Sequence, residues 1–426
     1  MNGILVTVVI INVILALLFS LGAAPILVWI ERRVAGLIQD RLGPNRCHIK
    51  GFRLGGLIQS FADMIKLVFK EDFKAKSIKE HFFFSLAPVI VFASAFLTFM
   101  VMPFADLLVI GGQTFRMQGL PMDLGILWFL AFAGLSVYGL MIGGWASNNK
   151  YALLGSIRAG AQVVSYEAAM GLSLVSVLIT YGSVDLVEIV NFQGQTFFGI
   201  PTWGIILQPL AGLIFIVTAF AEANRTPFDI AEGESELVGG FHTEYSAMRF
   251  GLLFVGEYVA MSASSALSVT LFFGRYHLPY LITSFFHSHI QIVFVDIMIF
   301  IPLVSFLFIR WIKKNNRFSL QEDIRNKESA VLIKMVIVST IAMVVGLGVL
   351  LFLGLHQNTT NITVAIIQIA TFAIKLLAMN FVFVWVRWTL PRFRYDQLQD
   401  LGWRVLMPLA IANIVITAFV VVVFKV

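Results

Sequence analysis

Long apolar runs alternate with short polar segments along the whole chain. Ten runs are long enough to cross a hydrocarbon layer of about 30 Å as helices, and no soluble domain fits between them. The pattern predicts an all-α polytopic membrane protein with about ten transmembrane helices. The predicted spans are residues 4–30, 82–105, 124–146, 159–181, 203–221, 248–272, 290–309, 330–355, 362–386 and 405–424.

The segment 52–70 differs from the spans because its apolar residues occupy one side only. This pattern predicts an amphipathic helix at the membrane surface. Two interpretations stay open: a helix lying among the lipid headgroups, or a helix roofing a chamber with Asp63 directed at a ligand. The apolar side consists of Leu54, Leu57, Ile58, Phe61, Met64, Ile65 and Val68, and the polar side of Arg53, Gln59, Asp63, Lys66 and Lys70.

Lysine and arginine are concentrated in alternate loops. The odd-numbered loops hold most of them, whereas the even-numbered loops hold little beyond Arg116 and Arg275. Because positive loops stay inside, the odd loops are predicted to face the cytoplasm or the mitochondrial matrix, with both termini on the opposite side. We therefore expect an energy-conserving membrane, in a bacterium the inner membrane, with both termini periplasmic.

Composition mainly excludes classes of function. Of the residues 59% are hydrophobic and 13% charged, about half the soluble norm, and the mean hydropathy is +0.89. The charge of +6 reflects loop asymmetry, so we expect lipids and not nucleic acid as partners. Cys47 is the single cysteine, too few for a disulfide or an iron–sulfur cluster. No metal motif, Walker A or dinucleotide motif is present, so no catalytic residue or metal site is predicted and electrons must come from a partner.

Three ionisable residues lie inside predicted spans, where each costs at least about 2.5 kcal/mol without a partner. Counted from the nearest cytoplasmic arginine, Glu167, Glu257 and Lys375 lie about 13, 12 and 18 Å deep at 1.5 Å per residue. We therefore expect them near one level. Either Lys375 forms a structural salt bridge with one glutamate, or the three line a hydrated path for protons.

The fifth loop is acidic on a side that otherwise attracts lysine and arginine. Pro227 and Gly233 favour a shaped loop, and clustered carboxylates can share protons in coupled titrations. A simply solvated acidic loop is the alternative. The acidic residues are Glu222, Asp229, Glu232, Glu234, Glu236 and Glu244, with Arg225 among them.

Several long motifs together resemble one family. The chain is similar to the H-type membrane subunit, also called chain 1, of proton-pumping NADH:quinone oxidoreductase, respiratory complex I, over roughly residues 1–280 and 362–426. The motifs are ERRVAGLIQDRLGPN at 31–45, GWASNNKY at 144–151, QVVSYE at 162–167, AEANRTPFDIAEGESEL at 221–237, TLPRFRYDQL at 389–398 and GW at 402–403.

The resemblance implies roles for the matching residues. Glu31, Arg32, Arg41 and Asp63 match the quinone chamber and its entrance. Glu222, Arg225, Asp229, Glu232, Glu234, Glu236 and Glu244 match the acidic loop that couples the chamber to the membrane arm. Glu167 and Glu257 match intramembrane carboxylates of a proton path, and Lys375 matches a buried basic position.

Residues 282–361 interrupt the family pattern. We interpret 1–281 as the family core with six spans and the amphipathic helix, 282–361 as an insertion with two extra spans, and 362–426 as the last two core spans. Two extra spans keep the later helices in the same orientation. The insertion is expected to lie peripherally, against lipid or another subunit.

The function implied is a subunit that forms the quinone chamber and couples quinone reduction to proton translocation, without being catalytic alone. Its substrate would be ubiquinone or menaquinone, and no group would be bound covalently. Flavin and iron–sulfur clusters would belong to partners, which include soluble quinone-site subunits and antiporter-like membrane subunits. The alternatives are the equivalent subunit of a ferredoxin-linked or hydrogenase-type relative, and an ion transporter.

Overall fold

The computed structural model describes residues 2–41, 43–44, 46–49, 54–197, 199–280, 283–315, 324–353 and 357–424. The helices are α1 Asn2–Ser20, α2 Ala23–Ile38, α3 Leu57–Phe69, α4 His81–Met100, α5 Gly125–Ala146, α6 Lys150–Tyr181, α7 Leu186–Gln193, α8 Gly204–Leu207, α9 Pro209–Glu222, α10 Glu234–Leu237, α11 Ala247–Phe272, α12 Thr283–Ser288, α13 Ile290–Asn315, α14 Ile324–Leu353, α15 Gln357–Thr389, α16 Tyr395–Asp400 and α17 Met407–Phe424. Short 3₁₀ turns occupy Leu54–Gly56 and Gly240–His242, and a π-helical segment, Leu401–Leu406, leads into α17.

Two small hairpins complete the secondary structure of the described residues. Strands β1 (Leu108–Ile110) and β2 (Gln113–Phe115) pair antiparallel, as do β3 (Thr196–Phe197) and β4 (Ile200–Pro201). The all-α polytopic class predicted from the apolar runs is therefore confirmed.

Nine helical segments within the described ranges are long and apolar enough to cross a membrane. The tenth predicted span, 203–221, is broken into α8 and α9, and α9 has 14 residues, about 21 Å at 1.5 Å each. The break lies at Gln208, whose backbone is not helical, followed by Pro209. The Gln208 side-chain amide donates to the hydroxyl groups of Thr180 at 2.9 Å and Thr417 at 3.0 Å. These bonds join three helices at the break.

Helix boundaries differ from the apolar runs where polar residues continue a helix. α2 extends to Ile38, so Glu31 and Arg32 lie on a helix and not in the loop expected after residue 30. α6 begins at Lys150, where the Asn149 side chain caps it by accepting from the Tyr151 amide at 2.9 Å. Caps and polar contacts inside the protein can therefore carry helices beyond the apolar core.

The interior is built from α4, α5, α6, α9 and α11, and α11 is the most deeply buried long span. Small residues allow these helices to approach closely, as is common in membranes. A Cβ on Gly139 of α5 would lie 2.6 Å from Cγ2 of Val91 on α4. The hairpin of α13 and α14 lies outside this interior, and its described residues are largely exposed.

Candidate functional site

Glu31 is the centre of a buried charged cluster formed by four distant segments. The Tyr258 hydroxyl donates to Glu31 Oε2 at 2.8 Å, and Arg225 Nη1 lies 3.3 Å from the same oxygen. Arg387 Nη1 of α15 lies 2.8 Å from Oε1. The Arg225 guanidinium also stacks over the Tyr258 ring at 4.1 Å. One carboxylate therefore faces two cations and a phenol, and the Arg387 side chain is the most exposed of them at 26%.

Arg225 joins this cluster to a second carboxylate, Glu257 of α11. Its Nη2 lies 4.0 Å from Glu257 Oε2, and the Arg225 side chain is only 4% exposed. Burial alone would lower the pKa of Arg225, but Tyr258, Glu31 and Glu257 outweigh it, so the pKa is raised. Arg225 thus remains a cation shared between two acids.

Glu257 in turn contacts the acidic loop. Its carboxyl lies within hydrogen-bonding reach of the Glu232 carboxyl, and Glu232 also lies 3.7 Å from His242 Nδ1. Two carboxyl groups that share a hydrogen bond need a proton between them. This contact is therefore a place where the protein can hold a proton.

The basic motif after α15 packs onto the same loop. Arg392 Nη2 lies 2.7 Å from Asp229 Oδ2, and the Phe393 amide donates to the Pro227 carbonyl at 3.0 Å. Burial raises the pKa of Asp229 to about 7, with a further increase from Glu232 and an opposing effect of Arg392. Asp229 can therefore gain or lose a proton near neutral pH.

The remaining acidic residues spread away from this centre. Glu236 pairs with Arg158 at 2.6 Å and is mostly exposed, and Glu244 accepts from the Asn149 side chain at 2.7 Å. The Glu234 side chain lies outside the described part of the structure. The predicted acidic loop is thus one segment in sequence, but its described side chains divide into an inner and an outer group.

Glu167 of α6 and Glu222 at the end of α9 form a second carboxylate pair. The two groups interact electrostatically, and Glu222 Oε2 is buried without a hydrogen-bond partner among the described residues. Gly134 of α5 makes room for Glu167, since a Cβ there would lie 2.7 Å from Glu167 Oε1. The glycine therefore fixes how closely Glu167 can approach α5.

A small cavity connects the two carboxylate groups. Its volume is about 30 Å³, and Glu222, Glu257, Asn224 and Ser136 contribute to its lining. That is room for about two water molecules, and such a site holds water when polar groups line it. Glu257 and Glu222 thus face one small internal space, whose polar lining consists of these two residues, Asn224 and Ser136.

Lys375 does not share the level of the two glutamates, and the expectation that it does is wrong. Its ammonium donates to the carbonyls of Phe273 and His277 at 2.7 and 2.6 Å, beyond the C-terminal end of α11. Phe273 follows Glu257 by sixteen residues, about 24 Å along the helix. The predicted depth is wrong because it was counted from Arg387, and Arg387 itself pairs with Glu31 in the charged cluster.

The remaining predicted chamber residues lie at the amphipathic helix or outside the cluster. Arg32 of α2 donates to Asp63 of α3 at 2.5 Å, both partly exposed, so Asp63 faces an arginine. The helix is amphipathic as predicted, although residues 52–53 lie outside the described ranges. Arg41 is exposed and donates to Gln39 at 2.7 Å, outside the contacts of the Glu31 cluster.

Sequence reasoning missed three members of the site: Tyr258, Arg387 and Arg392. Arg387 was used only as the reference for the depth of Lys375, and Arg392 only as one residue of the motif at 389–398. The signal was present, since both lie in or beside the motif at 389–398 and face a segment rich in acids. Tyr258 directly follows Glu257, but a tyrosine inside a span has no distinctive pattern.

Comparison with known proteins places the chain in one family. The NADH dehydrogenase family model matches residues 10–322 and 328–418. The H subunit of the NADH-quinone oxidoreductase of Bdellovibrio bacteriovorus is 37% identical over 431 residues, covering 96% of this chain and 95% of that protein. The second such H subunit of Geobacter sulfurreducens is 39% identical over 422 residues, covering 99% of each.

The family match runs through most of the segment 282–361, since only residues 323–327 separate its two parts. A third relative, the H subunit of Flavobacterium psychrophilum, is 38% identical over 397 residues, with 93% of this chain and 92% of that protein covered. The chain therefore belongs to the NADH dehydrogenase family, among the H subunits of NADH-quinone oxidoreductase.

Proposed function

We propose that this chain forms the membrane wall of a quinone chamber and couples quinone reduction to proton translocation. Its family consists of subunits of an oxidoreductase complex. Electrons would come from NADH through flavin and iron–sulfur clusters in partner subunits. The partners would be soluble quinone-site subunits and antiporter-like membrane subunits, in a bacterial inner membrane with both termini periplasmic.

The observation that carries the proposal is the shared position of Arg225. Arg225 contacts both Glu31 in the charged cluster and Glu257 beside the polar cavity. Two unit charges 4 Å apart interact by about 4 kcal/mol at an effective dielectric constant of 20. A change of charge at the cluster therefore alters the energy of a proton at Glu257 by an amount that can shift its occupancy.

Quinone reduction supplies such a change. The head group accepts two electrons and takes up two protons, and negative charge on it before protonation would draw Arg225 and Arg387 away from Glu31. Glu257 would then lose part of its neutralising partner and take up a proton shared with Glu232. The water-sized cavity offers a route from Glu257 to Glu222, and Glu222 lies beside Glu167.

The quinone itself would be ubiquinone or menaquinone, since the residues described select only for a polar head with hydrogen-bond acceptors. Arg32 and Asp63 would line the entrance beneath α3. No covalent attachment is needed, because guanidinium and phenol groups hold carbonyl oxygens by hydrogen bonds.

The test is pumping by the intact complex in sealed vesicles. Glu167→Gln and Glu257→Gln should reduce proton translocation with NADH while leaving NADH:ferricyanide activity intact. Glu71→Gln, on an exposed segment, is the matched control and should pump normally. Unaltered pumping in both buried variants would contradict the proposal, and co-purification with hydrogenase-type subunits would favour the hydrogenase-type alternative.

A further inference from the structure

Helices α11 and α15 are in contact, and two sets of bonds fix how they lie beside each other. Tyr258 of α11 donates to Glu31 at 2.8 Å, and Arg387 of α15 lies 2.8 Å from the same carboxylate group. At the other end, the Lys375 ammonium of α15 donates to the carbonyl of Phe273, the residue after α11, at 2.7 Å. The two helices are therefore antiparallel, and residue numbers rise along α11 and fall along α15 on going away from Glu31.

The three helices that meet at Glu31 each carry a small or polar residue farther along in this direction. These residues are Ala24 of α2, Ser265 of α11 and Asn380 of α15, which are seven positions from Glu31, Tyr258 and Arg387, respectively. Seven residues make almost two full turns, so each lies on the same side of its helix as its counterpart at the cluster, about 10 Å away. The Ser262 hydroxyl of α11 donates to the Phe19 carbonyl at 3.2 Å, so the start of α2 lies on this side of the cluster too. The three residues therefore share one level inside the protein, and all are buried.

The polar atoms at this level have no hydrogen-bond partner among the described residues. This holds for the Ser265 hydroxyl and for both the oxygen and the nitrogen of the Asn380 amide, although both side chains are fully buried. Leaving a buried donor or acceptor unpaired is costly, and ordered water usually satisfies such groups where the protein offers no partner. Ala24 takes up little space beside them, because its side chain is a single methyl group. The level one heptad from Glu31 is therefore suited to water.

Two more buried polar atoms without a partner in the described part of the chain lie beyond the end of α11. They are Nη2 of Arg275 and Nε2 of His277. Helix α15 contacts both residues, since Lys375 donates to the His277 carbonyl at 2.6 Å and the Arg275 guanidinium lies 3.9 Å from the centre of the Phe372 ring. Phe372 is eight residues, about 12 Å, from Asn380. Unpaired polar atoms thus continue along the contact of α11 with α15, from the Asn380 level to the far end of α11.

We propose that Ser265 and Asn380 bind water, and that this water relays protons from the Glu31 cluster toward His277 at the far end of α11. The inference rests on the proposed function, because the cluster is the source of the protons. The Asn380 amide suits the task, since its nitrogen donates and its oxygen accepts. Each water molecule accepts a proton on one side and releases another on the opposite side, so the site is unchanged after each transfer. This route is separate from the one through Glu257 and Glu222.

The first test measures proton pumping by the intact complex in sealed vesicles. Asn380→Leu keeps nearly the same side-chain volume but cannot bind water, and Ser265→Ala removes the hydroxyl. Both should lower the number of protons pumped per NADH oxidised, with NADH:ferricyanide activity as the reference for assembled complex. Ser268→Ala is the matched control on the same helix, because its hydroxyl already donates to the Ser264 carbonyl at 2.8 Å. This control should pump as the wild type does.

The outcomes separate this inference from the proposed function. Wild-type pumping by Asn380→Leu and Ser265→Ala would overturn the water relay, and Ser265→Ala decides alone if Asn380→Leu does not assemble. The proposed function would still stand if Glu167→Gln and Glu257→Gln impaired pumping in the same vesicles. Normal pumping by all four variants would contradict both.

A second test locates the water directly. In a map of the wild-type complex that resolves ordered water within this subunit, density should lie about 3 Å from the Asn380 amide and within reach of the Ser265 hydroxyl. Apolar packing around Asn380 without such density would overturn the proposal, whether or not the variants assemble.

Discussion

Replacement of Arg225 tests the charge arrangement most directly. Removing one partner of a buried ion pair costs about 3–5 kcal/mol, because the remaining charge stays buried. Arg387 would still neutralise Glu31, so we expect the lower end, about 3 kcal/mol, for Arg225→Met. If the whole loss of about 3 kcal/mol lowers the activation free energy of inactivation, heat inactivation becomes about a hundredfold faster.

The assay is the rate at which purified complex loses NADH:quinone activity on heating, with NADH:ferricyanide activity as the internal reference. Arg225→Lys should fall between wild type and Arg225→Met, because one ammonium cannot bridge Glu31 and Glu257 as a guanidinium does. Arg404→Met removes an exposed pair with Asp400 and should stay within about 0.5 kcal/mol of wild type. Inactivation of Arg225→Met at the wild-type rate would refute the ion-pair reasoning.

Three further predictions concern single residues. Burial raises the Asp229 pKa from 3.8 to about 7, so the folded protein binds this proton more tightly than the unfolded chain. Heat stability should therefore fall as the pH rises from about 4 to about 7. Asp229→Asn should make heat stability less dependent on pH in this range. Lys375→Met should lower the heat stability of the complex but leave the protons pumped per NADH unchanged, as measured in vesicles. Gly134→Ala should impair pumping by displacing Glu167, whereas Gly171→Ala, which meets no atom within 4 Å, should pump normally.

The spans were predictable because their hydrophobicity exceeds anything a soluble fold could bury, and nine segments are long helices as expected. The break at Gln208 could not be predicted, because a glutamine followed by a proline within an apolar run also occurs in unbroken helices. Here the break is stabilised by side chains from α6 and α17, and the α17 contacts join residues about 200 positions apart in sequence.

The acidic residues of the site could be predicted from the sequence, but which arginine pairs with which carboxylate could not. Glu31, Arg225 and Glu257 were identified from motifs and depth, and their contacts bring them together. Lys375 was misplaced because Arg387 was taken to mark the membrane surface. Arg387 lies in the last turn of α15, and only its contact with Glu31 reveals its level relative to Glu257.

The way the last helices close the site bears on biogenesis. Arg387 pairs with Glu31, and Arg392 pairs with Asp229. Both arginines lie in the last quarter of the chain, so these earlier carboxylates gain their last ion-pair partners only when that part of the chain is present. Such long-range contacts form late in folding. A chain interrupted before α15 would carry every acidic residue of the loop yet lack the Arg392 partner of Asp229 and one of the two arginines that face Glu31. Insertion of the C-terminal spans is thus the step that completes the ion pairs of Glu31 and Asp229.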